Sequence, residues 1–225
     1  MLDSGLIKEL GMGILETMYM TLGSTALAYL FGIPIGILLY ITDENGILKC
    51  KIINTILGAI VNLARSIPFI ILLIAILPFT RAVVGTTIGS TATVVPLVIA
   101  AAPFVARMVE SSLKEVDNGV IEAAQSMGST PMQIILKVLL PEAKPSLIVG
   151  SAIAVTTILG YSAMAGFTAG GGLGAIAINY GYYRYNDKIM LITVILLVII
   201  VQIFQEIGMK IANKTDKRMK NKGEK

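Results

Sequence analysis

Few residues in this chain could do chemistry, and each stands apart from the others. There is no histidine, and Cys50 is the only cysteine. That removes histidine metal sites, catalytic triads and any intramolecular disulfide. No Gly-Lys dipeptide occurs, so the chain has no phosphate loop of the G-x4-G-K-[ST] kind. What remains is Arg65 beside Ser66 and Pro68, a cluster at Gly170, Gly171, Gly172 and Gly174, and Glu122 within "IEAAQSMGSTPMQIILKVLLP". The glycines look like a phosphate cradle in composition only, because no strand precedes them and no basic residue follows before Arg184. They free the backbone to leave helical geometry, which at membrane depth is tolerated only where it faces protein or water. A break of that kind at an outer end is where an entry gate could form. Arg65 falls near the centre of an apolar run, where a charge is costly and faces a bundle interior or wet cavity. It could meet a substrate carboxylate, or donate to carbonyls freed by Pro68 or to a dimer partner.

The elements that must position these groups are apolar. Of 225 residues, 55% are hydrophobic and 14% charged, against about a quarter charged in soluble domains. The apolar residues form runs of about 20, the length that crosses a hydrocarbon core roughly 30 Å thick. Five spans are expected, at 18–41, 56–79, 92–110, 146–166 and 188–211, in an all-α polytopic membrane protein with one transmembrane domain over 1–225. Pro34, Pro68, Pro96 and Pro103 fall inside spans. Of the 18 Lys and Arg, seven lie in the tail: Lys210, Lys214, Lys217, Arg218, Lys220, Lys222 and Lys225. The positive-inside rule then places the C-terminus in the cytoplasm. With five spans the N-terminus lies outside, behind a net acidic flank bearing Glu9 and Glu16 that does not look like a cleaved signal. The tail reads as an anchor on anionic lipid. The positives cover no single face, so nucleic acid is not an expected partner.

Segment 111–145 is cytoplasmic on this topology and too polar to span. In "NGVIEAAQSMG", Val120, Ala123, Ala124 and Met127 fall at helical spacing on one face. Gly128 stands where a helix ends in a left-handed residue. Thr130 can cap a second helix, Pro131 fits its first position, and Met132, Ile135, Leu136 and Leu139 form a stripe that Pro141 should end. Two such helices could lie in the bilayer interface. The small alanines favour the other choice, close docking into a groove of another protein.

Glu122-Ala123-Ala124, three residues, Gly128, nine residues, then Val138-Leu139-Leu140-Pro141 resembles the signature of ABC-importer permeases, E-A-A-x3-G-x9-I-x-L-P. It departs only in Val138. In that family the segment is the coupling helix, so Glu122, Ala123, Ala124, Gly128, Leu140 and Pro141 are expected to meet an ATP-hydrolysing subunit. "RSIPFIILL", "GYSAMAGFTAGGGLG" and "INYGYYRYN" further resemble the permeases of methionine-uptake importers. The resemblance implies the type I importer fold and a plasma-membrane homodimer. Two cytoplasmic ATPase subunits, which bind the ATP and Mg, and an extracytoplasmic substrate-binding lipoprotein are implied as its partners. The chain itself would be no enzyme and hold no cofactor. Tyr161, Ser162 and Met164 would then line the methionine route, since thioether and ring pack well on a sulfur, or be ordinary packing residues. Arg107 and Glu110, closing the third span, read as snorkelling anchors. Another small solute, an amino acid or an oxyanion, is the nearest alternative substrate. A secondary transporter is disfavoured, because no Asp or Glu lies inside a span short of Glu110. An intramembrane enzyme is disfavoured by the missing histidine.

Overall fold

A computed structural model describes residues 4–215. The basic tail at 217–225, on which much of the charge topology rests, lies outside the described residues. Within them every regular element is helical: α1 (Ser4–Thr42), α2 (Lys51–Ser66), α3 (Phe69–Ala75), α4 (Leu77–Val84), α5 (Ser90–Lys114), α6 (Asn118–Ser126), α7 (Pro131–Ile134), α8 (Leu140–Met164), α9 (Gly172–Ile176) and α10 (Asp187–Thr215). Two π-turns, Ile135–Leu139 and Ala177–Tyr182, and a 3-10 turn, Ala165–Thr168, join some of these. Four helical stretches are long and apolar enough to cross a membrane, and the pair α2 and α3 makes a fifth if taken as one broken span.

The chain divides into two compact units. The first comprises 1–28, 67–101 and 154–205, and its core gathers Leu10, Leu159, Leu173, Ile176, Ile189 and Ile200. The second comprises 29–66, 102–153 and 206–225. Its packing begins in the span "GIPIG" of α1, where a Cβ on Gly32 would meet Val105 Cγ1 at 2.6 Å and one on Gly36 the Ala106 carbonyl oxygen at 2.5 Å. Small residues four apart let two helices approach to backbone contact, which is how helices associate in lipid without a hydrophobic drive between them. Val105 and Ala106 are sealed completely by that contact. Across α2, by contrast, Ile52, Ile56, Ile60 and Leu63 are all more than half exposed, as befits a face turned to lipid or to another subunit.

The helices differ from the expected spans in three places. The first helix starts at Ser4, so the span expected at 18–41 lies inside a longer helix and the acidic flank is helical. The second span is not one helix over 56–79, because α2 stops at Ser66 and α3 starts at Phe69. Pro68 lacks an amide hydrogen and disfavours helical geometry at Ile67 before it, and Pro78 opens α4 in its first turn. Pro34, Pro96 and Pro103, by contrast, sit inside continuous helices. The helix that carries the span expected at 146–166 begins well before it. Pro141 fails to end the amphipathic helix, and the chain runs helically from Pro131 to Thr168. Proline at this place would clash with the carbonyl four residues back. The π-turn Ile135–Leu139 widens the ladder there, and Leu140 donates to the Ile135 carbonyl five residues behind.

Candidate functional site

The segment between α5 and α8 is built from local signals. Asp117 caps α6, its carboxylate accepting from the Gly119 amide at 2.7 Å. At the other end the Gly128 amide donates to the Gln125 carbonyl at 2.9 Å and the Ser129 amide to Ala124 at 3.1 Å. Those two bonds are the paired closure of a Schellman turn, and Gly128 supplies its left-handed residue at φ 77°. Thr130 and Gln133 then cap α7 reciprocally. The Gln133 amide donates to Thr130 Oγ1 at 3.4 Å, and the Thr130 amide to Gln133 Oε1 at 2.8 Å.

The expected apolar face of α6 divides. Ala124 is buried with Ile121, while Val120, Ala123 and Met127 point outward. Likewise Ile134, Ile135 and Leu139 face inward, whereas Met132 and Leu136 are more than half exposed. The inner set packs α6 against the π-turn. The outer set, Val120, Ala123, Met127, Met132 and Leu136 with exposed Glu122 beside them, is an apolar surface formed by α6 and the first turns of the stretch Pro131–Thr168. Met127 is 78% exposed. Exposed apolar patches of this kind mark interaction sites, and flexible methionines suit an adaptable one. Leu140 is half-buried and Pro141 exposed at the entry to α8.

The other candidate residues separate. Tyr161 stacks on Phe69 with ring centroids 4.7 Å apart and planes 8° from parallel, and Met164, one turn on, is half exposed. Ser162 does not join them. It is buried, and its hydroxyl donates to the Leu159 carbonyl at 2.8 Å. Arg65 occupies the last turn of α2, in the other unit, exposed, just before the bend that separates α2 from α3. A cation there complements the negative end of the helix dipole.

The glycine-rich stretch is a packed joint. A Cβ on Gly174 would fall on the backbone of Ala163, and one on Gly166 on the backbone of Gly174. The short helix α9 is capped from far away in sequence. Glu16 Oε2 accepts from the Gly172 amide at 2.6 Å, and Thr17 Oγ1 from the Leu173 amide at 2.9 Å. The first helix thus supplies the acceptors that a glycine-rich start cannot provide for itself. Glu9 in turn accepts from the Tyr180 hydroxyl at 2.8 Å.

Arg107 and Glu110 are not snorkelling anchors. Arg107 Nη1 donates to Glu110 Oε2 at 2.6 Å, and its Nη2 to Asn62 Oδ1 at 2.9 Å and the Gly58 carbonyl at 3.1 Å. Lys114 Nζ lies 2.9 Å from both Glu110 Oε1 and Asp43 Oδ2. Glu110 is 6% exposed. The Asp43 carboxyl is held below its usual range, first by the hydrogen bond from Lys114 and then by that from the Glu44 amide. Lys114 is held above its own by hydrogen bonds to Asp43 and then Glu110, so both stay charged near neutral pH. One signal in the sequence was available: Arg107, Glu110 and Lys114 stand three and four apart on one helix face.

Residues 32–211 match the model of a family described as the inner-membrane component of binding-protein-dependent transport systems. A probable D-methionine transport system permease protein, MetI, of Vibrio cholerae is 50% identical over 203 residues, 90% of each chain. The D-methionine permease MetI of Escherichia coli K12 is 52% identical over 155 residues, 68% of this chain and 71% of that one. Among solved structures, an inward-facing MetNI methionine ABC transporter superposes with TM-score 0.94 at 46% identity, over 96% of this chain and 100% of that one.

Proposed function

This chain belongs to the family of inner-membrane components of binding-protein-dependent transport systems, and from that membership we propose that it is the membrane-spanning subunit of an ATP-driven importer of methionine. The observation that carries the mechanism is the exposed apolar knob around Glu122 and Ala123, set by the Gly128 turn in a segment that no span needs. It fits a groove in a cytoplasmic ATPase. The near full-length likeness to methionine permeases supports the substrate. Two copies of the chain, two ATPase subunits and an extracytoplasmic binding lipoprotein would form the working complex, with N-terminus outside and C-terminus inside. ATP binds preferentially to the closed ATPase pair, and a ligand moves an equilibrium only by such differential affinity. Closure would draw the docked knobs together and open the spans outward, the binding protein would release its cargo there, and hydrolysis would reset the complex.

The test is reconstitution of the chain with its ATPase in vesicles supplied with the binding protein. ATP-dependent uptake of labelled methionine, competed by unlabelled methionine and not by other amino acids or oxyanions, is the expected result. Uptake that prefers another solute would overturn the substrate, and uptake without ATP would overturn the class. In the same vesicles, replacing both Tyr161 and Met164 by alanine is expected to lower methionine uptake about thirtyfold, the scale set by losing two apolar contacts of roughly 1 kcal/mol each. Unchanged uptake and selectivity would make the stacked Tyr161 a packing residue only.

A further inference from the structure

The charge network at the end of α5 has a geometry that neither docking nor substrate passage requires. Glu110 uses both carboxylate oxygens, one on Arg107 and one on Lys114. Arg107 reaches across to α2 at Gly58 and Asn62, and Lys114 reaches to Asp43 just past the end of α1. A second tie runs between α1 and α2, where Asn54 Nδ2 donates to the Leu39 carbonyl at 2.7 Å and to Thr42 Oγ1 at 3.3 Å. All of these residues lie in one compact unit, together with the segment 118–139. Only Glu115–Asp117 separate Lys114 from α6.

We propose that Glu110 is a positioning residue for energy transfer: with Arg107 and Lys114 it fastens the ends of α1, α2 and α5 into one strut that moves as a body with the docking knob. This rests on the transporter reading above. A strut and a latch make opposite demands on such a network. Glu110 is buried between two cations of its own helix, so it stays paired and keeps Arg107 and Lys114 aimed at α2 and α1. Parting α2 from α5 would strip the Arg107 guanidinium, whose side chain is three-quarters buried, of the Gly58 carbonyl and Asn62. The strut keeps these bonds through the cycle, and motion of α6 is passed to three helices at once.

The experiment uses the chain assembled with its ATPase and binding protein in vesicles, reading ATP hydrolysis and methionine uptake on the same samples. For Glu110→Gln, hydrolysis is expected to stay within about twofold while uptake per ATP falls about tenfold, the size of ordinary coupling free energies between sites. Lys114→Met leaves the Arg107–Glu110 pair intact and so supplies the same ratio if Glu110→Gln does not assemble. Its expected loss is smaller, and adding Asp43→Asn to it should lower the ratio no further. In a Cys50→Ser background, Asp43→Cys with Lys114→Cys, joined by a short bifunctional thiol cross-linker that bridges the gap the lysine side chain spans, is expected to restore the uptake that the uncrosslinked pair loses. Uptake and hydrolysis falling in proportion, or neither changing, would overturn the strut. So would a cross-link that stops uptake while hydrolysis continues, since that means the ends must part. An unmodified complex with no ATP-driven uptake would instead strike the transporter reading, and the strut with it.

Discussion

Replacing Gly128 by leucine is expected to abolish ATP-driven uptake while leaving the chain inserted in the membrane. The cause is conformational. Gly128 holds φ 77°, and no heavy atom lies within 4 Å of where its Cβ would sit, so a side chain would meet open space and suffer only from its own backbone. A left-handed conformation costs an L-residue about 1–2 kcal/mol, and more where the side chain is bulky. A strain of about 2 kcal/mol lowers the population of the correct turn roughly 30-fold. The Schellman bonds from Gly128 and Ser129 would then part, and α6 would lose its angle to α7. Because the defect is strain, it should be graded by residue. Gly128→Ala is expected to lose part of the uptake, and Gly128→Asn, whose side chain tolerates the left-handed region, to stay near the unmodified level. Equal damage from alanine and asparagine would mean that the docking surface, not the turn, is being disturbed. Co-purification of the ATPase separates lost docking from lost transmission.

The second large effect is expected at Gly174. Valine there would press its Cβ onto the Ala163 carbonyl oxygen, Cα and C, all backbone atoms with no flexible end to swing aside. Overpacking typically costs 1–3 kcal/mol, and where only backbone can give, the upper part of that range applies. Gly174→Val should lower the melting temperature of the purified complex by several degrees, about 2–4 °C per kcal/mol for a chain of this size. Its uptake should fall with its stability. Gly160, one turn before Met164, meets nothing within 4 Å, so Gly160→Ala is the matched control and should be silent. If Gly174→Val melts with the unmodified protein, the glycine-rich stretch is loose enough to be a gate after all.

What could be read from the sequence, and what could not, follows the range of the interactions. The turn at Gly128 and the Thr130 cap are decided by neighbours within a few residues, and the structure carries them as read. The extent of α1 was not legible. Glu9 and Glu16 argue locally for a solvated flank, and what makes them helical residues in contact with protein is a pair of partners, Tyr180 and Gly172, the latter 156 positions away. Pro141 was misread for a different reason. Proline forbids an ordinary ladder at its own position, but one widened turn before it satisfies the same constraint without ending the helix. Glu110 was misread because an ionisable residue at a span end is equally consistent with snorkelling or with a buried pair. The choice depends on Arg107 finding Asn62 on another helix.

The length of α1 sets an expectation for how deep this protein sits. Its 39 residues extend about 58 Å at 1.5 Å per residue, nearly twice the hydrocarbon thickness of about 30 Å. The uncharged part from Thr17 to Thr42 is about 39 Å long on the same rise, enough to cross with some tilt. Sinking the helix by one further turn would carry Glu16 into the acyl chains and strip the cap from α9. Raising it would bring Asp43, and with it Lys114, into the opposite leaflet. Vertical register is therefore expected to be pinned by one carboxylate at each end of the uncharged stretch. A thicker or thinner bilayer must be met by tilt, since neither carboxylate can follow it.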